Sequence, residues 1–179
     1  MSNLANFTLL ARYNQWMNQR IYAAAESLGE VELAQDRGAF FGSVLGTLNH
    51  ILVGDTVWLN RFARHPAEFD SLAIMAELPN PDSLDQILYP DFKVLRSKRV
   101  DLDQVIVNLI EELTDQALNV TLGFNDMRGQ PMQKSFTALL QHFFNHQTHH
   151  RGQVTTLLSQ RGIDPGVTDL LELIPNQDH

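Results

Sequence analysis

His146 and His150 stand one helical turn apart in QHFFNHQTHHRGQ, and a third histidine, His50, lies far upstream in GTLNHILVGD. In an α-helix, residues four apart project from one face, so two imidazoles can converge on a single ion while a third reaches it from a neighbouring helix. Three such ligands leave coordination positions open for chemistry. Spacing alone is ambiguous, because His142 with His146 and His146 with His149 are also permitted pairs. Helical phase separates them. At about 100° per residue, Phe136, Leu139, Phe143, Val154 and Leu157 form an apolar arc that contains His146 and His150 and leaves His142 and His149 on its flank.

A polar group buried without a partner costs roughly 1–3 kcal/mol, so two of them one turn apart need an explanation. A shared metal ion satisfies both; the competing reading is a pair of core histidines with separate hydrogen-bond partners. His149 is the substitute ligand if the helix is slightly out of phase, and otherwise it and His142 read as solvated or supporting groups. Around His50, Gly46 and Gly54 lie one turn to either side, leaving room for an ion or substrate, or for close helix packing. His65 and His179 carry no ligand signal. Tyr13, Trp16 and Met17 read as core, Arg20 and Arg151 as surface charge, and Asp55 as either a carboxylate supporting the ligands or a polar breach of its helix's stripe.

The elements that must position these residues follow from apolar periodicity. Leu10, Tyr13, Met17, Ile21, Ala24 and Leu28 predict a first helix over about 3–28. Ser43 can cap a second, with Leu45, Leu48, Leu52, Leu59 and Phe62 on its apolar stripe, and this helix carries His50. Pro66, Pro79, Pro81 and Pro90 predict a wrapping connection with short helical turns. A third helix is expected from Asp91 to about Leu118, then a short hairpin turning at Asn125–Gly129, then a fourth helix over about 135–161 closed by Gly162. Leu170, Leu171 and Ile174 predict a packed tail. The chain therefore reads as all-α, a single four-helix-bundle domain spanning 1–179 with a small β-hairpin before the last long helix.

Composition narrows the function. Thirteen Lys and Arg face 21 Asp and Glu, a net charge of −8, which argues against a phosphate-tracking nucleic-acid binder. There is no cysteine, so neither a disulfide nor a thiolate ligand is available, and any thiol chemistry must use a thiol brought by the substrate. No apolar run is long enough to span a bilayer, and the N-terminus lacks a basic stretch before an apolar one. The expectation is a soluble, unprocessed, cytoplasmic chain with small-molecule or protein partners, no nucleic acid and no membrane.

YNQWMNQRIY, LNHILVGDTVWLNRF and, above all, NHQTHHRGQV followed by GIDPGVTDLLELIP resemble the DinB family, which is grouped with the YfiT-like metal-dependent hydrolases. The resemblance covers nearly the whole chain. It implies a four-helix bundle in which His50, His146 and His150 bind a divalent metal, with His149 belonging to the HHRGQ pattern and not to the ligand set. It also implies a homodimer, and a range of activities that includes thiol-dependent transferases using low-molecular-weight thiols. The reading is a metal-dependent thiol S-transferase using Zn²⁺ or Ni²⁺, with Mn²⁺ or Fe²⁺ as further candidates. The alternatives are a hydrolase that activates water at the same ion, and a non-catalytic metal-binding protein of a stress response.

Overall fold

The computed structural model describes residues 2–176. Four long helices carry the fold. Helix α1 spans Asn3–Glu26 and starts where the Ser2 hydroxyl accepts the Ala5 N–H at 3.2 Å. A short helix α2, Gly29–Ala34, follows. Helix α3, Val44–Phe62, begins as expected at Ser43, which is extended and accepts the Gly46 N–H at 3.0 Å. Helix α4, Phe92–Glu111, is capped by Asp91, whose carboxylate accepts from Lys93 and Val94. Helix α6, Phe136–Ser159, is preceded by α5, Asp115–Leu118, and by strands β1, Thr121–Asn125, and β2, Pro131–Ser135. The strands pair antiparallel with Thr121 opposite Ser135. Gly162 takes a left-handed φ of 73° and lets the Ile163 N–H return to the Leu158 carbonyl, closing the last helix.

Helix α1 packs on α4 and α6, and α3 packs on α6 and, over a shorter stretch, on α4. The first two long helices therefore stand diagonally across the bundle, a topology that the long 63–91 connection permits. A 3₁₀ segment, Asp70–Glu77, lies against both α3 and α4 and wedges them apart. The apolar centre is dense, with Ile21, Leu59, Phe62, Leu95, Ile106, Phe136, Leu140 and Val154 fully withdrawn from solvent.

Two expectations about the elements need correction. The third long helix stops at Glu111, not near Leu118, because Thr114 turns extended and its hydroxyl caps α5 by accepting the Ala117 N–H at 3.1 Å. His65 is buried beside that turn and bonds to the Ala117 carbonyl, a structural role. The tail is held less by its leucines than by α1: the Tyr13 hydroxyl donates to the Thr168 carbonyl at 2.6 Å, whereas Leu171 is 70% exposed and Ile174 43%. His179 lies outside the described residues.

A layer of polar side chains crosses the bundle and draws on all four long helices. Asn14 and Asn18 come from α1, Asp55 from α3, Arg99 and Asp103 from α4, and Gln147 and Arg151 from α6; every one is buried. Arg99 donates to Asp55 at 2.5 Å and approaches Asp103 at 3.1 Å. Asn18 and Asn14 donate to Asp103 at 2.8 and 3.1 Å, Gln147 donates to Asp55 at 2.7 Å, and Arg151 donates to Asn14. Arg151, expected on the surface, is instead an inner member of this layer. Burial pushes Asp103 up to about 6 against the pull of Arg99, and it drives Arg151 down to about 10. Removing one partner of such a pair leaves an uncompensated charge in the interior. Arg99→Met, which strands two carboxylates, is expected to lower stability by about 3–5 kcal/mol in urea unfolding; a loss below about 1 kcal/mol would mean the layer is solvated, with its charges already neutralised by water.

Candidate metal centre

Helices α3 and α6 face each other along one side of the bundle, and their contact is made close by glycine. A Cβ on Gly54 would lie 2.8 Å from Cε1 of His146, so the imidazole occupies the space a side chain would otherwise take. Gly46 serves a different neighbour, the Phe41 carbonyl, which a Cβ there would overlap. The two glycines flanking His50 thus admit a ligand ring and a loop backbone.

The three expected histidines come together. Nε2 of His50 lies 3.2 Å from Nε2 of His146 and 3.1 Å from Nε2 of His150. Ligand atoms from all three lie within 4.8 Å of one another, and they are the one group of this kind among the described residues. His50 is buried, whereas His146 and His150 are partly exposed and open the cluster along α6. His142 and His149 are exposed and stand outside it, as helical phase predicted. The His142 ring meets the edge of Trp58, at 5.1 Å between centroids, and His149 accepts from Gln153.

Hydrogen bonds at the far nitrogens decide what the near ones are. Nδ1–H of His50 donates to the Leu84 carbonyl at 2.7 Å, and Nδ1–H of His150 donates to Oε1 of Gln153 at 2.8 Å. Each ring therefore points an unprotonated Nε2 at the other across 3.1 Å. Two lone pairs at that distance repel unless a cation lies between them. Protonation is a poor remedy, because burial lowers the pKa of all three imidazoles, and burial plus its two neighbours carries His146 down to about 3. A metal ion held between the rings would supply the missing positive charge. Two nitrogens about 2.0–2.1 Å from a tetrahedral ion lie roughly 3.3 Å apart, close to the two separations measured from His50. His146 is the least supported ligand: its Nδ1 is buried without a partner among the described residues, and its ring is positioned by packing over Gly54.

Sequence reasoning missed the groups that surround the three. Phe41 stacks on His50 with centroids 3.7 Å apart and planes 15° from parallel, covering that face from water. Gln153 sits one turn beyond His150, a spacing that could have flagged it. Asp55 contacts none of the histidines; it holds Gln147, the residue after His146, and so steadies α6 at one remove. A groove of about 440 Å³ lined by Arg37, Phe40, His149, Gln153 and Thr156 runs beside the cluster. No described helix is long and apolar enough to cross a membrane.

The profile of the DinB family matches residues 1–178. The chain belongs to the DinB family. Protein DinB of Bacillus subtilis (strain 168) is 27% identical over 160 residues, a stretch that covers 89% of this chain and 88% of that protein. No solved structure matches the chain. The family match spans all three clustered histidines, which α3 and α6 bring together.

Two outcomes are expected. Gly54→Ala forces His146 off the cluster and should weaken binding of added Zn²⁺ or Ni²⁺ about tenfold or more while leaving far-ultraviolet circular dichroism unchanged; unaltered affinity would show that the ring has somewhere else to go. In metal-free protein, a His146 pKa held near 3 against about 6.5 unfolded means that the unfolded state takes up the proton first. His146 therefore contributes stability above pH 6.5 that is lost as pH falls toward 3. Between pH 7 and 4.5 the wild type should lose up to about 2 kcal/mol more than His146→Ala, measured by urea unfolding.

Proposed function

We propose that the chain is a divalent-metal-dependent enzyme in which His50, His146 and His150 hold the ion, working as a thiol S-transferase on a low-molecular-weight thiol. The observation that carries this reading is the convergence of three imidazoles, two of them held by far-nitrogen hydrogen bonds with unprotonated Nε2 atoms 3.1 Å apart and the third bringing its Nε2 within 3.2 Å of His50. When bound, a divalent ion lowers the pKa of a coordinated thiol or water and makes it nucleophilic at neutral pH.

The remaining work belongs to side chains of this chain. The Leu84 carbonyl and Gln153 fix two imidazoles in the tautomer that leaves Nε2 free. Phe41 covers one side and keeps the cluster dry on that face. The groove along Phe40, His149 and Gln153 offers room for the non-reacting part of a substrate. A thiol is favoured over water because no Asp or Glu joins the three histidines among the described residues. Free water starts near pKa 15.7 and a thiol near 8.5, so an ion that brings bound water to about 7 leaves a bound thiol the more fully ionised of the two at neutral pH. The chain's lack of cysteine also means that no internal thiolate competes for the position. Imidazole donors suit Zn²⁺ and Ni²⁺, with Mn²⁺ and Fe²⁺ as weaker fits.

The test has two stages. Elemental analysis of protein purified without metal affinity should find near-stoichiometric metal in wild type and His142→Ala, and little in His50→Ala, His146→Ala or His150→Ala; equal occupancy in His142→Ala and His146→Ala sinks the ligand assignment. The loaded protein is then supplied with cysteine or glutathione and 1-chloro-2,4-dinitrobenzene, and thiol consumption is followed. Metal-dependent conjugation supports the transferase. Hydrolysis of p-nitrophenyl acetate without conjugation would replace it with the hydrolase, and metal retention with neither activity would leave a metal-binding protein.

A further inference from the structure

Helices α3 and α4 touch each other sparingly because the 3₁₀ segment is wedged between them, and the wedge does not fill the gap. It leaves an apolar cavity of about 250 Å³, on a face of α3 different from the one that carries His50. Leu52, Thr56 and Leu102 form its buried floor, and Leu78, Leu88 and Val105 form its half-buried sides. Interiors pack to crystal-like density with few voids larger than a water molecule, so a cavity of this size is a departure from ordinary packing. Apolar cavities of roughly 150 Å³ stay dry and take up benzene-sized molecules.

The Thr56 hydroxyl and the rim charges are already engaged. The Thr56 hydroxyl donates to the Leu52 carbonyl at 2.8 Å, and the two charges at the rim, Lys98 and Asp101, lie 3.6 Å apart and offset each other. A ligand with a net charge would find no free counter-charge there, whereas an uncharged hydrocarbon body would bury against leucine and valine.

One wall of the cavity also belongs to the histidine cluster. Residues 84–89 form a strap that contributes Leu88 and Tyr89 to the cavity and the Leu84 carbonyl to Nδ1 of His50. The strap is pinned to α3 by a reciprocal pair of bonds: Asn49 donates to the Tyr89 carbonyl at 3.1 Å and accepts the Tyr89 N–H at 2.9 Å. Asn49 precedes His50 directly.

We infer that this cavity is a binding site for a small uncharged apolar molecule, and that its occupancy is communicated to His50 through the strap. The site is separate from the histidine cluster and does not depend on a metal being present. A molecule seated against Leu88 and Tyr89 bears on the segment that orients the His50 ring, giving the two sites one shared element.

The experiment uses metal-free full-length protein, so that its failure is distinct from failure of the metal reading. 1-Octanol, octanoate and octylamine are titrated in turn, with calorimetry for affinity and ¹⁵N NMR for the backbone amides of 84–89 and the imidazole of His50. Saturable binding of 1-octanol is expected, about tenfold or more tighter than either charged analogue. Val105→Trp and Ile74→Trp, which fill the cavity from its side and its exposed rim, should weaken it at least about tenfold, and His142→Ala, outside both the cavity and the cluster, should leave it unchanged. Absence of saturable binding, equal binding of the charged analogues, or affinity untouched by Ile74→Trp overturns the site. So does a dimer in sedimentation that 1-octanol dissociates, since a second copy would then be the occupant. Binding without movement of the His50 imidazole resonances overturns the coupling.

Discussion

The contact between Arg99 and Asp55 sets the register of the bundle. A guanidinium and a carboxylate withdrawn from water are tolerable only when they meet, and here they meet at 2.5 Å between α4 and α3. That pairing fixes how far each helix is rotated and slid relative to the other. Asp55 then takes the Gln147 amide from α6, while Asp103 takes both asparagines of α1. Apolar packing alone tolerates small rotations and slips, but a directional network that joins four helices does not. His146 follows from this: it is the residue before Gln147, so the bond that ties Gln147 to α3 also sets the face on which the imidazole emerges.

The histidine cluster is consequently a product of rigid parts more than of its own bonding. Two imidazoles are oriented by acceptors at their far nitrogens, and the third by a missing side chain on the facing helix. With burial opposing protonation at each ring, the cluster is left electron-rich and uncharged in the interior, an arrangement suited to binding a cation. The charged layer beside it is already balanced, two acids against two bases, and donates none of its carboxylates to the cluster.

Much of this was legible in the sequence, for identifiable reasons. His146 and His150 stood out because a 3.6-residue period places them inside an apolar arc, and Ser43, Asp91 and Gly162 marked helix ends by local hydrogen bonding and φ preference. The same criterion applied to α1 and α4 would have found Asn14, Asn18, Arg99 and Asp103, each polar on an inward face. Arg151 misled because a long cationic side chain beside a histidine motif ordinarily reaches solvent, and only its partner Asn14, 137 residues away, brings it inside. The break at Thr114 was missed because apolar spacing continues through it while the backbone does not.

One support of the cluster has no side chain at all. The oxygen that orients His50 belongs to the peptide group of Leu84, whose own side chain is 41% exposed. Any amino acid at that position presents the same carbonyl, so selection on the site acts there through loop length and turn geometry between Pro79 and Pro90, and not through residue identity. Residue 84 itself can therefore change in letter while an insertion or deletion of a single residue in the segment disarms the imidazole, and the partner of His50 is found in the backbone and not among side chains.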